Sequence, residues 1–458
     1  MSASNPVAAR DIAHHLHSYT NAVQHAKIGP FVVARGEGIY VYDDQGRRYI
    51  EGLAGLWSVA VGFGEKRLVD AAHKQMQELP YYHTFTHKAH MPSINLAAKL
   101  AEMTGLPHAF FTNSGSEGND TVVKLVWYYN NALGRTKKKK FLARKRGYHG
   151  VTVAAASLTG LPNNHRDLDL PAIPVHHLTC PHFYREGKPG ETEAQFVDRL
   201  AAELEAYIAQ EGADTIAAFI GEPLMSAGGV VPAPAGYWQR MQEICRRHDI
   251  LVVADEVITG FGRLGTPFGS DYYGIKPDIM TLSKQITSSY MPLAAVMISE
   301  AVYKVIADNS NKIGTFGHGY TASGHPVVTA VALENIAIIE ERGLIENARK
   351  MGEILQSRLH ALFDDHPLVG EVRGAGLIAA VELVADKAAK TPFDPVGKVG
   401  GYFLLRAQEH GLIVRAIGDS VALCPPLIIT EAQIGDLLDA FGKALVDTAE
   451  WVKKGMPA

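Results

Sequence analysis

Two short apolar runs near the middle of the chain do most to limit its fold. Leu251-Val252-Val253-Ala254 ends in Asp255-Glu256-Val257. Asp278-Ile279-Met280-Thr281-Leu282 ends in Ser283-Lys284, after an intervening turn that holds Gly260, Gly262 and Gly265. Runs so short and so continuously apolar, bounded by turn residues, read as strands buried on both faces, the pattern of a parallel sheet. Parallel neighbours need crossover connections, and helix-like patterns alternate with strand-like ones on either side of these runs. In open α/β sheets functional groups collect at the carboxyl ends of the strands. Asp255 and Lys284 each stand at such an end.

The same rhythm extends through the middle of the chain. His108-Ala109-Phe110-Phe111-Thr112 reads as a strand, followed by Asn113-Ser114-Gly115-Ser116-Glu117-Gly118-Asn119-Asp120 and an apolar helix over 121–129. A strand, a Gly/Ser turn and a helix start aim free backbone N–H groups at an anion such as a phosphate. Ser114 and Glu117 also make a capping box, and the two readings are compatible. Residues 135–146 are dense in Lys and Arg. Nucleic-acid binding would want a broader basic field and stacking aromatics, so in a chain of net charge −4 they read as a solvated turn. Gly147-Tyr148-His149-Gly150 then offers an aromatic at a strand-end turn, able to stack on a planar ring. Residues 161–190 read as an irregular surface excursion. A helix follows, marked by Phe196, Leu200, Leu204 and Ile208, then a strand over 215–220 ending in Gly221-Glu222-Pro223, and a helix over 236–248. Gly260-Phe261-Gly262-Arg263-Leu264-Gly265 matches the dinucleotide fingerprint in letters. Thr266-Pro267-Phe268-Gly269 cannot continue the helix that fingerprint requires, so the match is rejected. Residues 291–298 form a further strand.

The two ends differ from this middle. Ile39-Tyr40-Val41-Tyr42, a turn at Asp43-Asp44-Gln45-Gly46 and Arg48-Tyr49-Ile50 make a hairpin. Residues 65–79 and 92–103 read as helices. After residue 342 come a long amphipathic helix (Ala348, Met351, Leu355, Leu359), strands over 376–383 and 413–416, a helix near 398–409, a strand at 421–423 and a terminal helix over 431–452. Short strands at both ends need partners, so the ends are expected to pack together. The expected division is an N-terminal part of a small α+β domain over 1–64, a large domain over 65–330, and the C-terminal part of the small domain over 331–458. Three widely spaced cysteines, Cys180, Cys245 and Cys424, fit buried thiols in a reducing compartment, and no leader is visible, so the cytoplasm is expected. No apolar run is long enough to span a bilayer. No metal is expected. His14, His15 and His17 have no carboxylate or cysteine to complete a shell, and His83, His87 and His90 fall at helical spacing without the glutamate of a metalloprotease motif.

A carboxylate and an amine at neighbouring strand ends suit pyridoxal phosphate, which needs a lysine for its Schiff base and an acid at its pyridine nitrogen. Here the chain resembles a family. Seven motifs stand in family order: residues 113–120, 147–150, 221–223, 254–257, 283–284, 319–326 and 372–377. Together they are similar to the class III, or omega, aminotransferases of fold-type I pyridoxal-phosphate enzymes, over nearly the whole length. The resemblance implies a large domain with a mainly parallel sheet plus a smaller domain from both ends. It implies that Lys284 forms the aldimine and moves the proton, and that Asp255 pairs with the pyridinium nitrogen. Tyr148 and Val257 would sandwich the ring, with His149 beside it. Ser114, Gly115 and Ser116 would bind the phosphate, with Thr321 reaching it from a neighbouring subunit. Glu222 would lie beneath the cofactor. Trp57, Phe85, Tyr148 and Arg415 would contact substrate, Arg415 as a mobile carboxylate grip. A homodimer with sites at the interface is implied, with tetramers left open. Gly118 and Ser289 depart from the family's common alanine and glycine. The implied reaction moves an amino group from a primary amine or omega-amino acid to pyruvate by ping-pong half-reactions. An aminomutase or decarboxylase on the same fold is the alternative. A catalytically idle scaffold has no need of Lys284.

Overall fold

The computed structural model describes residues 6–457. Residues 1–5 and 458, at the outer ends of the two expected small-domain segments, lie outside the described residues. The N-terminal hairpin gains a strand in front of it, giving β1 (Val33–Glu37), β2 (Tyr40–Asp43) and β3 (Arg48–Glu51). The middle of the chain supplies β4 (His108–Thr112), β5 (Lys140–Arg144), β6 (Val175–Leu178), β7 (Ile216–Gly221), β8 (Leu251–Asp255), β9 (Ile279–Leu282) and β10 (Ala294–Ile298). The C-terminal part supplies β11 (Val369–Ala375), β12 (Ile378–Leu383), β13 (Leu412–Ile413), β14 (Arg415–Ile417) and β15 (Ser420–Leu423).

The central sheet has seven strands in the order β4-β10-β9-β8-β7-β5-β6. β6, β5, β7, β8 and β9 are parallel, and β10 runs against both β9 and β4. Every residue of β7, β8, β9 and β10 is buried. That burial explains why these runs are apolar without alternation: both faces carry helices. On one face Leu142, Phe219 and Val252 pack with Phe196, Leu200, Leu204 and Trp238 of helices Glu193–Glu211 and Tyr237–Arg247. On the other, Phe141, Ile220 and Val253 pack with Val122, Leu125 and Val126 of helix Gly115–Ala132. Alternate residues of one strand feed opposite layers, as the pleat requires. Each such side chain contributes roughly 1.5–3 kcal/mol of transfer free energy, which holds the strand ends in register.

The chain ends share a sheet as expected. β13 pairs in parallel with β3, Leu412 opposite Ile50 and Ile413 opposite Glu51. A third sheet runs β11-β12-β15-β14. The expected boundary at residue 330 falls inside helix Pro326–Glu341, which packs on helices Lys66–Glu78 and Met91–Thr104 of the middle segment. The natural break comes at the end of that helix.

Several local expectations change. The basic run over 135–146 is only half a turn. Its second half is β5, because Phe141, Leu142 and Ala143 are fully buried between β6 and β7. The supposed excursion over 161–190 contains β6, an edge strand whose two histidines hide its apolar content. Residues 376–383 are the second arm of a hairpin with β11, and residues 413–416 split between β13 and β14, which belong to different sheets. His83 and His87 lie in irregular chain, His87 with φ 66°, and His90 caps helix Met91–Thr104 by accepting from the Ser93 N–H. On that helix Leu96 and Leu100 are buried, whereas Ile94 faces outward. The weakly patterned start forms two helices, Pro6–His14 and Ala22–Ile28. Among the described residues no helix is long and apolar enough to cross a membrane.

Candidate active site

The parallel strands end at one edge, and the turns leaving them enclose a cavity of about 220 Å³. Asn113, Ser114, Gly115 and Ser116 line one end and Lys284 another, with Tyr148, His149, Glu222, Asp255 and Val257 around the walls. Nine of the residues expected to hold a cofactor therefore meet in one place.

Asp255 closes β8 and is buried. Its Oδ2 accepts from Asn119 Nδ2 at 2.8 Å and from the His149 Nδ1–H at 2.8 Å, while Oδ1 accepts the Val257 N–H at 3.2 Å. A carboxylate only accepts, so His149 must carry its proton on Nδ1. These three donors fix the carboxylate's orientation and leave Oδ1 a lone pair for a ring N–H. Asn119 is itself locked: its amide donates to the His149 carbonyl at 2.7 Å and its Oδ1 accepts from Thr281 Oγ1 at 2.9 Å.

Lys284 follows β9 with φ 49°, a left-handed backbone that costs a non-glycine residue about 1–2 kcal/mol. The neighbouring network sustains it. Asn335 Nδ2 donates to the carbonyls of Gln285 and Ile286, and Gln285 Nε2 donates to those of Ile258 and Gly260. Burial lowers the Lys284 pKa, and Arg415 adds to this, against the opposing pull of Asp255 and Glu222. A lysine so placed is pushed toward the neutral, nucleophilic form.

Helix Gly115–Ala132 starts at the cavity. Ser114 Oγ accepts the Glu117 N–H at 3.2 Å, but Glu117 Oε2 accepts the Asn113 N–H at 2.8 Å and not that of Ser114, so only the serine half of the expected capping box forms. Gly118 N–H is taken by the Ser114 carbonyl. Among the first-turn donors this leaves Gly115 and Ser116 N–H for an anion. A Cβ at Gly115 would stand 3.1 Å from Val257 Cγ2, so glycine keeps this cradle open. Glu222 accepts the N–H groups of Tyr148 and Ser226, each at 3.0 Å, and burial raises its pKa.

A smaller cavity of about 100 Å³ adjoins the first and shares Tyr148, Ile258 and Lys284 with it. Trp57 and Arg415 line it, as expected of substrate residues, together with Tyr19, Leu56, Leu161 and Ala227. Phe85 and Thr321 do not line either cavity of their own chain. Phe85 is exposed, lying against Gly319, and Thr321 sits on an exposed turn whose carbonyl accepts from the Tyr81 hydroxyl.

Two site residues escaped the sequence reading. Asn119 lay inside a motif singled out for its backbone, and its position one turn into a helix facing the sheet was the available signal. Tyr19 carried none. It sits in the weakly patterned start and reaches the cavity only through tertiary contacts with Tyr148 and with Asn164, whose amide donates to its hydroxyl at 2.6 Å.

A phosphate cradle, a buried acid and a buried lysine at the ends of parallel strands define a fold-type I pyridoxal-phosphate enzyme. The sequence matches the family Aminotransferase class-III over residues 20–445, and the chain belongs to that family. It is 51% identical to gamma aminobutyrate transaminase 1, mitochondrial, of Solanum lycopersicum, covering 95% of this chain and 85% of that protein. It is 48% identical to vanillin aminotransferase of Capsicum annuum, covering 93% of each. The structure of the omega transaminase from Pseudomonas jessenii in complex with PMP superposes with a TM-score of 0.97 at 58% identity, covering 99% of this chain and 100% of that one.

Pyridoxal phosphate fits what the cavity offers: two free helix N–H groups for its phosphate, an oriented carboxylate for its ring nitrogen and a buried amine for its aldehyde. Bound there, it supplies an electron-withdrawing ring that acidifies the carbon bearing the amino group. Asp255, pinned by Asn119 and His149, would hold the ring-nitrogen proton. Tyr148 and Val257, which line the cavity, would confine the ring. Lys284 Nζ, whose pKa burial lowers, would be placed to take and return the substrate's proton.

Proposed function

We propose that this enzyme transfers the amino group of a primary amine or omega-amino acid, such as 4-aminobutyrate, to pyruvate, releasing an aldehyde or ketone and alanine. The observation that carries the reading is Arg415. Among the described residues no carboxylate pairs with it, yet it shares a cavity with Lys284, Tyr148, Trp57 and Tyr19. A guanidinium there grips a carboxylate bidentately, while the aromatic walls favour an apolar amine. One cavity so lined accepts two unlike substrates in turn. The relatives' names support substrates of both kinds: one names 4-aminobutyrate, an omega-amino acid, and the other vanillin, an aromatic aldehyde and so the carbonyl partner of a primary amine.

The test is a donor panel with pyruvate as acceptor, read as alanine formed. 4-Aminobutyrate, β-alanine, putrescine and 1-phenylethylamine span the chemistry. Arg415→Ala should raise KM for pyruvate by about 10–100-fold, the loss of a charge-assisted bidentate bond, and leave the half-reaction with 1-phenylethylamine within a few-fold of wild type. No alanine from any donor would refute the proposal.

We further infer that two copies complete each other's sites. Thr321 and Phe85 face away from their own cavity, and Tyr81, Tyr82, Met91 and Ile94 leave apolar surface open beside them. A second copy seated there supports the expected role of Thr321 at a neighbour's phosphate and of Phe85 at its substrate.

A further inference from the structure

The start of the chain contains a cluster that the reaction does not use. The reading that no carboxylate completes a ligand set around its histidines is corrected by Asp11, which lies one helical turn before His15. His17 Nε2 lies 2.9 and 3.0 Å from the two Asp11 oxygens, His25 Nε2 lies 2.8 Å from Oδ2, and His15 Nδ1 lies 3.3 Å from Oδ1. The donor atoms of Asp11, His15 and His17 all lie within 4.8 Å of one another. The His15 and His17 ring centroids are 4.0 Å apart, and those of His17 and His25 are 4.3 Å apart.

We propose that Asp11, His15, His17 and His25 bind a divalent ion of the zinc type. Three neutral imidazoles and one carboxylate are a ligand set for such an ion and carry one negative charge toward it. Tetrahedral bonds of about 2.0–2.1 Å place ligand atoms roughly 3.3 Å apart; His17 and His25 Nε2 stand 2.9 and 2.8 Å from Asp11 Oδ2 and His15 Nδ1 3.3 Å from Oδ1, and His25, outside the group of three mutually within 4.8 Å, would have to close on it to complete the shell. A carboxylate accepting three hydrogen bonds would account for contacts to Asp11. The contacts of His15 with His17 and of His17 with His25 are a second observation, since imidazoles repel when protonated. Side-chain exposure falls from 64% at His15 to 14% at His25, so the cluster has an open mouth and a part-buried floor. The other three-ligand group, His182, Glu371 and Glu382, differs because Arg373 and Arg185 already neutralise its carboxylates.

The ion would do something specific. His17 and His25 bracket Tyr19, the residue that the chain start delivers to the substrate cavity. Joining the two histidines through an ion closes that segment into a loop and holds Tyr19 against Tyr148.

The experiment is equilibrium dialysis of untagged holoenzyme against zinc chloride with a chromophoric chelator as competitor. The comparison is His17→Ala/His25→Ala, with Asp11→Asn as a second variant that leaves the histidines in place. Wild type should take up one more zinc per subunit than the double variant, and the affinity of that zinc should drop by more than ~100-fold in the variants, beyond the loss caused by removing an outer-shell partner. An unchanged cofactor absorbance band shows that each variant is folded. Equal zinc in wild type and variants, or none in wild type at micromolar free zinc, overturns the site. Zinc should also lower KM for the amine donor in wild type alone, and an unchanged KM overturns the link to Tyr19.

Discussion

Asp255 shows how much of a catalytic side chain's work is done by its neighbours. An isolated carboxylate at a strand end rotates freely; this one is held by an amide, an imidazole and a backbone N–H. Asn119→Ala removes the first of these and leaves the His149 carbonyl without a donor. The expected cost is about 1.5–3 kcal/mol for a lost charge-assisted bond, a kcat lower by roughly 10–100-fold with little change in donor KM. Steady-state kinetics on the holoenzyme checks this, and a wild-type kcat would show that His149 alone suffices. Lys284 and Asp255 were legible in the sequence because each ends a buried run, so their position follows from strand geometry alone. Tyr19 was not, because nothing local to an irregular segment encodes which distant cavity it will reach. The contacts of Asp11 were missed for a related reason: His17 lies in the irregular link after helix Pro6–His14 and His25 on the next helix, and no local pattern gives the path that returns them to Asp11.

The small sheet β11-β12-β15-β14 is tied to the large domain by one buried ion network. Arg373 on β11 donates to Glu371 and Glu382 and to the carbonyls of Gly229 and Val230, and Arg185 also reaches Glu382. Burial pushes Glu382 up, but Arg373 and Arg185 outweigh it and hold the carboxyl at about 2, below its ordinary 4.5. The folded pKa is depressed, so the stabilisation is fully present above about 4.5 and is lost as pH falls from there toward 2. It is on the order of 3 kcal/mol at neutral pH. Glu382→Gln should therefore lower the melting temperature at pH 7, and the gap to wild type should narrow by about half at pH 3 and close only below about pH 2; a gap independent of pH would contradict the charge assignment. The strands of this unit were harder to delimit than those of the central sheet. The short turn at Gly376 and the bend at Val414 split what reads as single apolar runs into arms of hairpins and separate sheets. The parallel strands β7, β8 and β9 were plain because burial on both faces leaves little choice of residue. β5 and β6 were obscured by the lysines, arginine and histidines in their own runs, some of which are buried despite their charge: Arg144 has no exposed surface and lies 5.1 Å over the Trp238 ring.

At the level of the whole molecule, the proposed division of labour between two copies gives a further expected outcome. Lys284→Ala should abolish turnover, and Thr321→Ala should weaken cofactor binding by about tenfold, one hydrogen bond to phosphate. A dimer mixed from the two variants holds one site with both defects and one with neither. Mixing the two inactive or weakened proteins under subunit exchange should restore about half of the wild-type activity per mixed dimer, and no recovery would show that each chain builds its site alone. The central claim is that Lys284, Asp255 and the helix N-terminus at Gly115 form a site that runs both halves of a transamination with unlike substrates. The most direct measurement is the absorbance spectrum of the purified holoenzyme during addition of 1-phenylethylamine and then of pyruvate. A visible band should give way to a near-ultraviolet band with the amine and return with the keto acid, with one alanine formed per site. A visible band that neither this amine nor any other donor of the panel discharges would contradict it.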